Sequence, residues 1–289
     1  MIAVGFPLAY LLSLSLVLLA RPVFAAEVFD RTNYRGASLP TSVGMLIVPS
    51  ASALVAIYVL LADRFRPTVE TVRSGWEGLS LGPPLIAMCA GFALLGLLDD
   101  LAGVGDSGGF RGHVAQLRRG RLSTGMIKML GGPIVALCAL GSLQPLGPPS
   151  SGPVSLLRDA ALISLMANLA NLFDRAPGRS IKFGLIVFGA LVAITRRSNL
   201  SSCGLVLGAA AGLLPGDLSE EFMVGDAGSN VIGAAVGFAL VVSTSPNWHW
   251  GLLVVALLAN AASEMVSFSK VIDAVGPLRW VDRLGSKRR

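Results

Sequence analysis

The chain has 289 residues, of which 53% are hydrophobic and only 14% charged, with a mean hydropathy of +0.70. Soluble domains carry about 25% charged residues, so this composition excludes an ordinary soluble enzyme and describes an all-α, polytopic helix bundle, one integral membrane domain over residues 1–289. The net charge of +6 is the basic excess that cytoplasmic loops of membrane proteins carry, and it calls for no nucleic-acid partner.

Nine apolar segments compare with the roughly 20 residues that one bilayer crossing needs. They run Ile2–Phe24, Val43–Leu61, Leu81–Leu98, Met126–Leu146, Val154–Phe173, Ile181–Thr195, Leu200–Leu214, Asn230–Thr244 and Trp250–Ile272. The sixth to eighth are short, and are either tilted spans or in part not spans at all. Phe24-Ala25-Ala26 faintly resembles a signal-peptidase site, but no basic stretch precedes it, so the first segment reads as a retained helix. Cys89, Cys138 and Cys203 lie in apolar runs and read as free thiols.

The third segment ends in Gly96-Leu97-Leu98-Asp99-Asp100. Acidic residues oppose the partial negative charge of a helix C-terminus, and two adjacent ones repel. The pair therefore points to a divalent-cation or proton-transfer site at the membrane surface; the plain alternative is an acidic mark of the membrane edge. The loop from Gly103 to Lys128 carries Arg111, His113, Arg118, Arg119 and Arg121. It reads as an inside-positive loop against anionic lipid, or as an attractor for a diphosphate. Lys128, at a span entry, reads as a phosphate contact, and His113 has no assigned role.

In the fifth segment Asn168, Asn171 and Asp174 recur every three residues along one flank. Amides within an apolar span need partners, so these residues are either interhelical glue or a polar wall for a nucleotide or sugar. Arg158, near the other end, reads as snorkelling. Gly225-Asp226-Ala227-Gly228-Ser229, just before the eighth segment, reads as a phosphate and metal corner at a helix start or as an ordinary cap. Together with Asp99 and Asp100 it offers three carboxylates, enough for Mg²⁺, with Mn²⁺ as an alternative. Trp248-His249-Trp250 suits an aromatic belt, with His249 a bystander. Glu264 and Lys270, in the last segment, are a functional site or a helix–helix ion pair.

Nine spans with the N-terminus outside put 16 basic residues inside and 6 outside, with Arg21 at a boundary and the C-terminus cytoplasmic. In that topology Asp99-Asp100, the Asn168 to Asp174 flank and the Gly225 to Ser229 corner all arrive at the cytoplasmic face.

Taken in order, Gly96-Leu97-Leu98-Asp99-Asp100, Asn168-x-x-Asn171-Leu172-x-Asp174 and Gly225-Asp226-Ala227-Gly228-Ser229-x-x-x-Gly233 resemble the polyprenyl-phosphate N-acetylhexosamine-1-phosphate transferases. That family includes the phospho-MurNAc-pentapeptide translocase and the GlcNAc-1-phosphate transferases of cell-envelope synthesis. Asn33-Tyr34-Arg35-Gly36 with Pro40 and Gly44 resembles its first cytoplasmic loop, Lys128 the lysine after its double Asp, and Glu264 with Ser267 its ninth helix. The resemblance implies a multi-pass protein of the inner or plasma membrane with its active site facing the cytoplasm. A polyprenyl phosphate would attack the β-phosphate of a UDP-sugar, giving polyprenyl-diphospho-sugar and UMP with Mg²⁺. Asp226 would bind the metal, and Asp99 and Asp100 would bind metal or handle the lipid-phosphate proton. Lys128 would hold phosphate, with Gly225 and Ser229 also on the substrate. Asn168, Asn171 and Asp174 would line the nucleotide and sugar pocket, and a homodimer is compatible with this reading.

The sequence departs from the family at three places. The family's D-G-x-D-G is Asp174-Arg175-Ala176-Pro177-Gly178 here; its F-M-G-D is Met223-Val224-Gly225-Asp226, with the aromatic displaced to Phe222 or lost; and Gly276 to Arg289 holds no histidine cluster. The rival readings are a non-catalytic relative that binds polyprenyl phosphate or an envelope-assembly partner, and a transporter using the same charges.

Overall fold

The computed structural model describes residues 2–62, 64, 70–103, 110–143 and 152–286. Arg66, the end of the fourth apolar segment at Leu146, and Lys287, Arg288 and Arg289 lie outside the described residues, as do the side chains of Arg111 and His113. The helices are α1 (Ile2–Phe24), α2 (Ile47–Leu61), α3 (Glu70–Glu77), α4 (Gly82–Ala102), α5 (Phe110–Arg118), α6 (Thr124–Ser142), α7 (Pro153–Phe173), α8 (Arg179–Thr195), α9 (Ser201–Leu218), α10 (Gly225–Ser243), α11 (Pro246–Ser263), α12 (Phe268–Ala274) and α13 (Gly276–Arg283). The only described sheet is a hairpin between α1 and α2, with β1 (Asp30–Thr32) antiparallel to β2 (Ser38–Pro40).

Among the described residues, seven stretches are long and apolar enough to cross a membrane: α1, α2 with the 3-10 turn before it (Val43–Leu61), α4 with the 3-10 turn before it (Gly78–Ala102), α6, α7, α9 and α10. The bent pair α11–α12 makes up to eight, and α8, at 17 residues, is short for a crossing. The described bundle therefore carries seven or eight candidate spans where nine were expected. Charged residues interrupt the ninth apolar segment, and the chain bends there by 96°. The Asn260 side chain donates to Ala256 O and the Ser263 hydroxyl to Asn260 O, so polar side chains compete for the last carbonyls of α11. The Met265 N–H then bonds Ala262 O, tightening the final turn before Ser267 opens α12 in extended backbone.

Helix α10 lies at the centre and is buried on all sides, against α4, α7, α8 and α9. Its small residues permit this. A Cβ on Gly237 would sit 2.7 Å from Ile163 Cα of α7, so the two helices meet nearly backbone to backbone. Helices α1 and α9 meet the same way: a Cβ on Gly208 would lie 2.5 Å from Phe6 O. Helix α9 runs on through Pro215, past the predicted stop at Leu214, and so carries Asp217 into the buried interior.

Two expectations at the opposite end of the bundle are corrected. Arg158 does not snorkel and His249 is no bystander: both are buried and bonded. The Arg158 guanidinium bonds Asp159 Oδ1 at 2.7 Å and Pro246 O at 3.2 Å, and its Cζ lies 5.5 Å from the centre of the Trp250 ring. His249 Nδ1 lies 2.9 Å from Asp159 Oδ1 and 3.0 Å from Arg158 Nη2. This cluster ties the start of α7 to the start of α11. The pairing offsets part of the cost of burying these charges, while Asp159 Oδ2 and His249 Nε2 have no partner among the described residues.

Candidate functional site

The C-terminus of α4, the N-termini of α6 and α10 and the C-terminus of α7 meet at one end of the bundle. Asp100, in the last turn of α4, accepts the backbone N–H groups of Asp226 at 2.9 Å and Ala227 at 3.1 Å, and the Ser42 hydroxyl at 2.7 Å. A carboxylate unfavourable for its own helix thereby sits at the positive end of another. That external cap starts α10 at Gly225, five residues before the apolar run that begins at Asn230. Gly225 has φ +69°, and a Cβ there would lie 2.6 Å from Asp100 Oδ2 and 2.7 Å from Thr41 Oγ1. Both the backbone conformation and the crowding require glycine.

Asp99 and Asp226 converge on one cation. Lys128 Nζ lies 2.9 Å from Asp99 Oδ2 and 2.5 Å from Asp226 Oδ2. The Thr124 hydroxyl donates to Asp99 Oδ1 at 2.5 Å. Thr124 and Lys128 are one turn apart on α6, so a single helix face presents both groups to Asp99. The three side chains Asp99, Lys128 and Asp226 stay partly open, at 21%, 14% and 26% exposure, so the cluster can be reached.

Of the amides, Asn171 Nδ2 donates to Ser229 Oγ at 3.2 Å and joins α7 to the corner of α10. Asn168 instead donates to Asn260 Oδ1 of α11 at 2.6 Å. Asp174 ends α7. Burial, and then the carboxylates of Asp217, Asp226 and Asp100, hold its carboxyl well above the usual carboxylate range. Glu264 and Lys270 lie at the α11–α12 break and in α12, exposed. A pocket of about 210 Å³ opens beside that break, lined among others by Arg175, Ser263 and Glu264.

Several residues that hold the site were not singled out in the sequence. Arg31, in β1, donates to the carbonyls of Asp100 and Leu101, both at 3.0 Å, and so closes the end of α4. Glu220, at φ +57°, accepts from Asn33 Nδ2 at 3.1 Å and Tyr34 Oη at 3.3 Å and pairs with Arg35 at 3.5 Å. The hairpin is thereby fastened to the stretch just before Asp226. The Met223 N–H bonds Pro40 O, and the Gly44 N–H bonds Val224 O. Asp217 accepts the Gly178 N–H at 2.5 Å and fixes the turn that follows Asp174. Phe222 is buried, and a Cβ on Gly216 would run into its ring, so this aromatic packs on α9.

Among the described residues, no group of three or more His, Cys, Asp or Glu side chains is arranged to hold a metal ion. The three-carboxylate cage expected from the sequence is reduced to two, because both Asp100 oxygens face α10 amides. Mg²⁺ commonly takes one or two carboxylates with phosphate oxygens and water. Asp99 and Asp226 could supply those two carboxylates, but the Lys128 ammonium occupies the point between them. Comparison with protein-family models and with curated proteins finds no match to this chain.

Proposed function

We propose that the chain transfers a sugar-1-phosphate from a UDP-sugar to a membrane polyprenyl phosphate, releasing UMP, from a site on the cytoplasmic face of the inner or plasma membrane. The observation that carries this reading is the convergence of Asp99, Lys128 and Asp226, from three helices far apart in sequence, on one partly open point at a bundle end. Phosphoryl transfer asks chiefly for positioning and neutralisation of charge. A partly accessible ammonium between two carboxylates, next to a helix N-terminus, supplies both. Counted over nine spans, the 16-to-6 excess of basic residues favours an N-outside orientation, in which this bundle end would face the cytoplasm.

In this reaction an oxygen of the lipid phosphate bonds to the β-phosphorus of the donor, and the bond from that phosphorus to the oxygen bridging toward the α-phosphorus breaks. UMP carries away that bond's electron pair. Lys128 would neutralise the non-bridging phosphate oxygens. Asp99, bonded to Thr124 and Lys128, would take the lipid-phosphate proton if one is present. Asp100 acts at one remove, since it holds the first turn of α10 and so fixes Asp226. Asn171, Ser229 and Asp174 would line the donor side. Asp226 and Asp99 would hold the divalent ion, which when bound draws charge from the diphosphate oxygens.

The test is UMP release from a panel of UDP-sugars by the purified chain with polyprenyl phosphate and Mg²⁺. Turnover that disappears in Asp226→Asn supports transfer. Polyprenyl phosphate binding without UMP release across the panel rejects it in favour of a non-catalytic lipid-binding relative.

A further inference from the structure

The path turns by 96° between α11 and α12. Helices α12 and α13 lie against the C-terminus of α7 and the first turn of α8, across the end of the bundle. One side of α12–α13 is fastened to the bundle. Arg179 grips Asp282 through two bonds of 2.8 and 3.0 Å and reaches Ser269 at 2.8 Å. Lys182 Nζ donates to the carbonyls of Val281 at 3.1 Å and Asp282 at 2.7 Å. The Phe268 ring stacks on Phe173 at 5.1 Å.

The other side is bare. Trp280, on the side of α13 opposite Asp282, and Leu284, just past the end of that helix, are 64% and 45% exposed. Val271, in α12, and Val275, just past its end, repeat this. Arg279 and Arg283 form an exposed basic row beside Trp280, with Lys270 exposed on α12. The one exposed acid of the segment is Asp273, whose carbonyl accepts from Arg279 at 3.3 Å. An apolar edge with a tryptophan, flanked by cations, suits the boundary between headgroups and acyl chains.

We infer that α12–α13 lies in the headgroup layer as a docking surface for anionic phospholipid. Trp280 and Leu284 enter the acyl boundary, and Lys270, Arg279 and Arg283 meet lipid phosphates. Charge complementarity and the path across the bundle end favour a bilayer surface over a second protein. The inference does not depend on transferase activity.

The test reconstitutes the full chain in vesicles of phosphatidylcholine alone, or with phosphatidylglycerol added, and quenches tryptophan with lipids brominated near the headgroup end of the acyl chain. The chain has four tryptophans, so the emission lost in Trp280→Phe isolates Trp280. That emission is expected to be quenched, and more strongly when phosphatidylglycerol is present. The increase is expected to vanish in the double variant Arg279→Gln with Arg283→Gln. Both changes fall on exposed side chains and spare the Arg179–Asp282 pair. Emission untouched by brominated lipid in both vesicles overturns the inference and leaves the face to a protein partner. Equal quenching with and without phosphatidylglycerol overturns the anionic-lipid assignment.

Discussion

Asp100 Oδ1 accepts the backbone N–H of Asp226 at 2.9 Å, so the last turn of α4 caps the first turn of α10. Removing a cap costs about 0.5–2 kcal/mol, and hydrogen bonds to a charged group contribute about 1.5–3 kcal/mol. Asp100→Ala is therefore expected to destabilise the chain by about 2–3 kcal/mol in thermal unfolding in detergent. Asp100→Asn keeps an amide oxygen for one N–H and should cost roughly half as much. Equal losses in the two variants would contradict the capping role.

The same cap shows what could be read from residues alone. Apolar runs locate the long helices because each must fill the bilayer, and Asp99-Asp100 stands out because it conflicts with its own helix end. The Gly225 corner was legible as a helix start, although the apolar run begins only at Asn230, because the polar first turn of α10 is held by a cap from another helix. Asn168 and Asn171 looked alike by spacing, yet the structure sends one to Asn260 and the other to Ser229. Arg158 and His249 lie 91 positions apart, and no local pattern announces that Asp159 joins them. Thr124 could have been found, because it precedes Lys128 by one helical turn. Asp217 could not, since its partner is the backbone N–H of Gly178 in the turn before α8.

Lys128 is the shared cation of Asp99 and Asp226, and removing one member of a partly buried cluster leaves carboxylates facing each other. Lys128→Met is expected to destabilise the apo chain by about 3 kcal/mol, within the range for broken buried pairs. Added Mg²⁺ should restore more melting temperature to this variant than to the parent, because the two freed carboxylates then take the divalent ion. UMP release should fall by about 10²–10³-fold, as when one charge-stabilising donor is removed. A variant that melts like the parent and ignores Mg²⁺ would show that the cluster is not a cation site.

Asp174 gives a pH dependence with a definite sign. Its folded-state pKa is raised by burial and by the Asp217, Asp226 and Asp100 charges. A raised carboxyl binds more protons folded than unfolded, so its contribution to stability is greatest below the unfolded pKa of about 3.9 and declines as pH rises toward the folded value. Asp174→Asn removes the titration. The variant should gain stability relative to the parent as pH rises through the acid range into neutrality, read as melting temperature against pH. Parallel melting curves for the two chains would mean that the carboxyl is not held protonated.

The cluster at the far end of the bundle should separate stability from turnover. Arg158→Met strips the guanidinium from Asp159, which is fully buried beside His249. Breaking such a pair costs about 3–5 kcal/mol. Whatever fraction stays folded should release UMP at the parent rate per folded molecule, because Arg158 lies four turns along α7 from Asn171. Loss of specific activity with unchanged melting would tie this end to the chemistry.

Asn168 and Asn171 test which side of α7 faces the substrate. The Asn168 amide is engaged with Asn260, whose own amide donates to Leu165 O at 3.1 Å and Ala256 O at 2.7 Å. Interhelical bonds of this kind in membranes contribute about 0.6 kcal/mol, up to about 1.7. Asn168→Ala should lower stability by about that amount and leave KM for the donor within about twofold. Asn171 reaches Ser229, one turn along α10 from Asp226, so Asn171→Ala removes a donor beside the reacting groups. Its effect should appear mainly in turnover, about 10-fold or more, at the scale of about 1.4 kcal/mol per decade. If Asn168→Ala raises KM and Asn171→Ala leaves the kinetics unchanged, the substrate wall lies along the α7–α11 groove and the corner of α10 is structural.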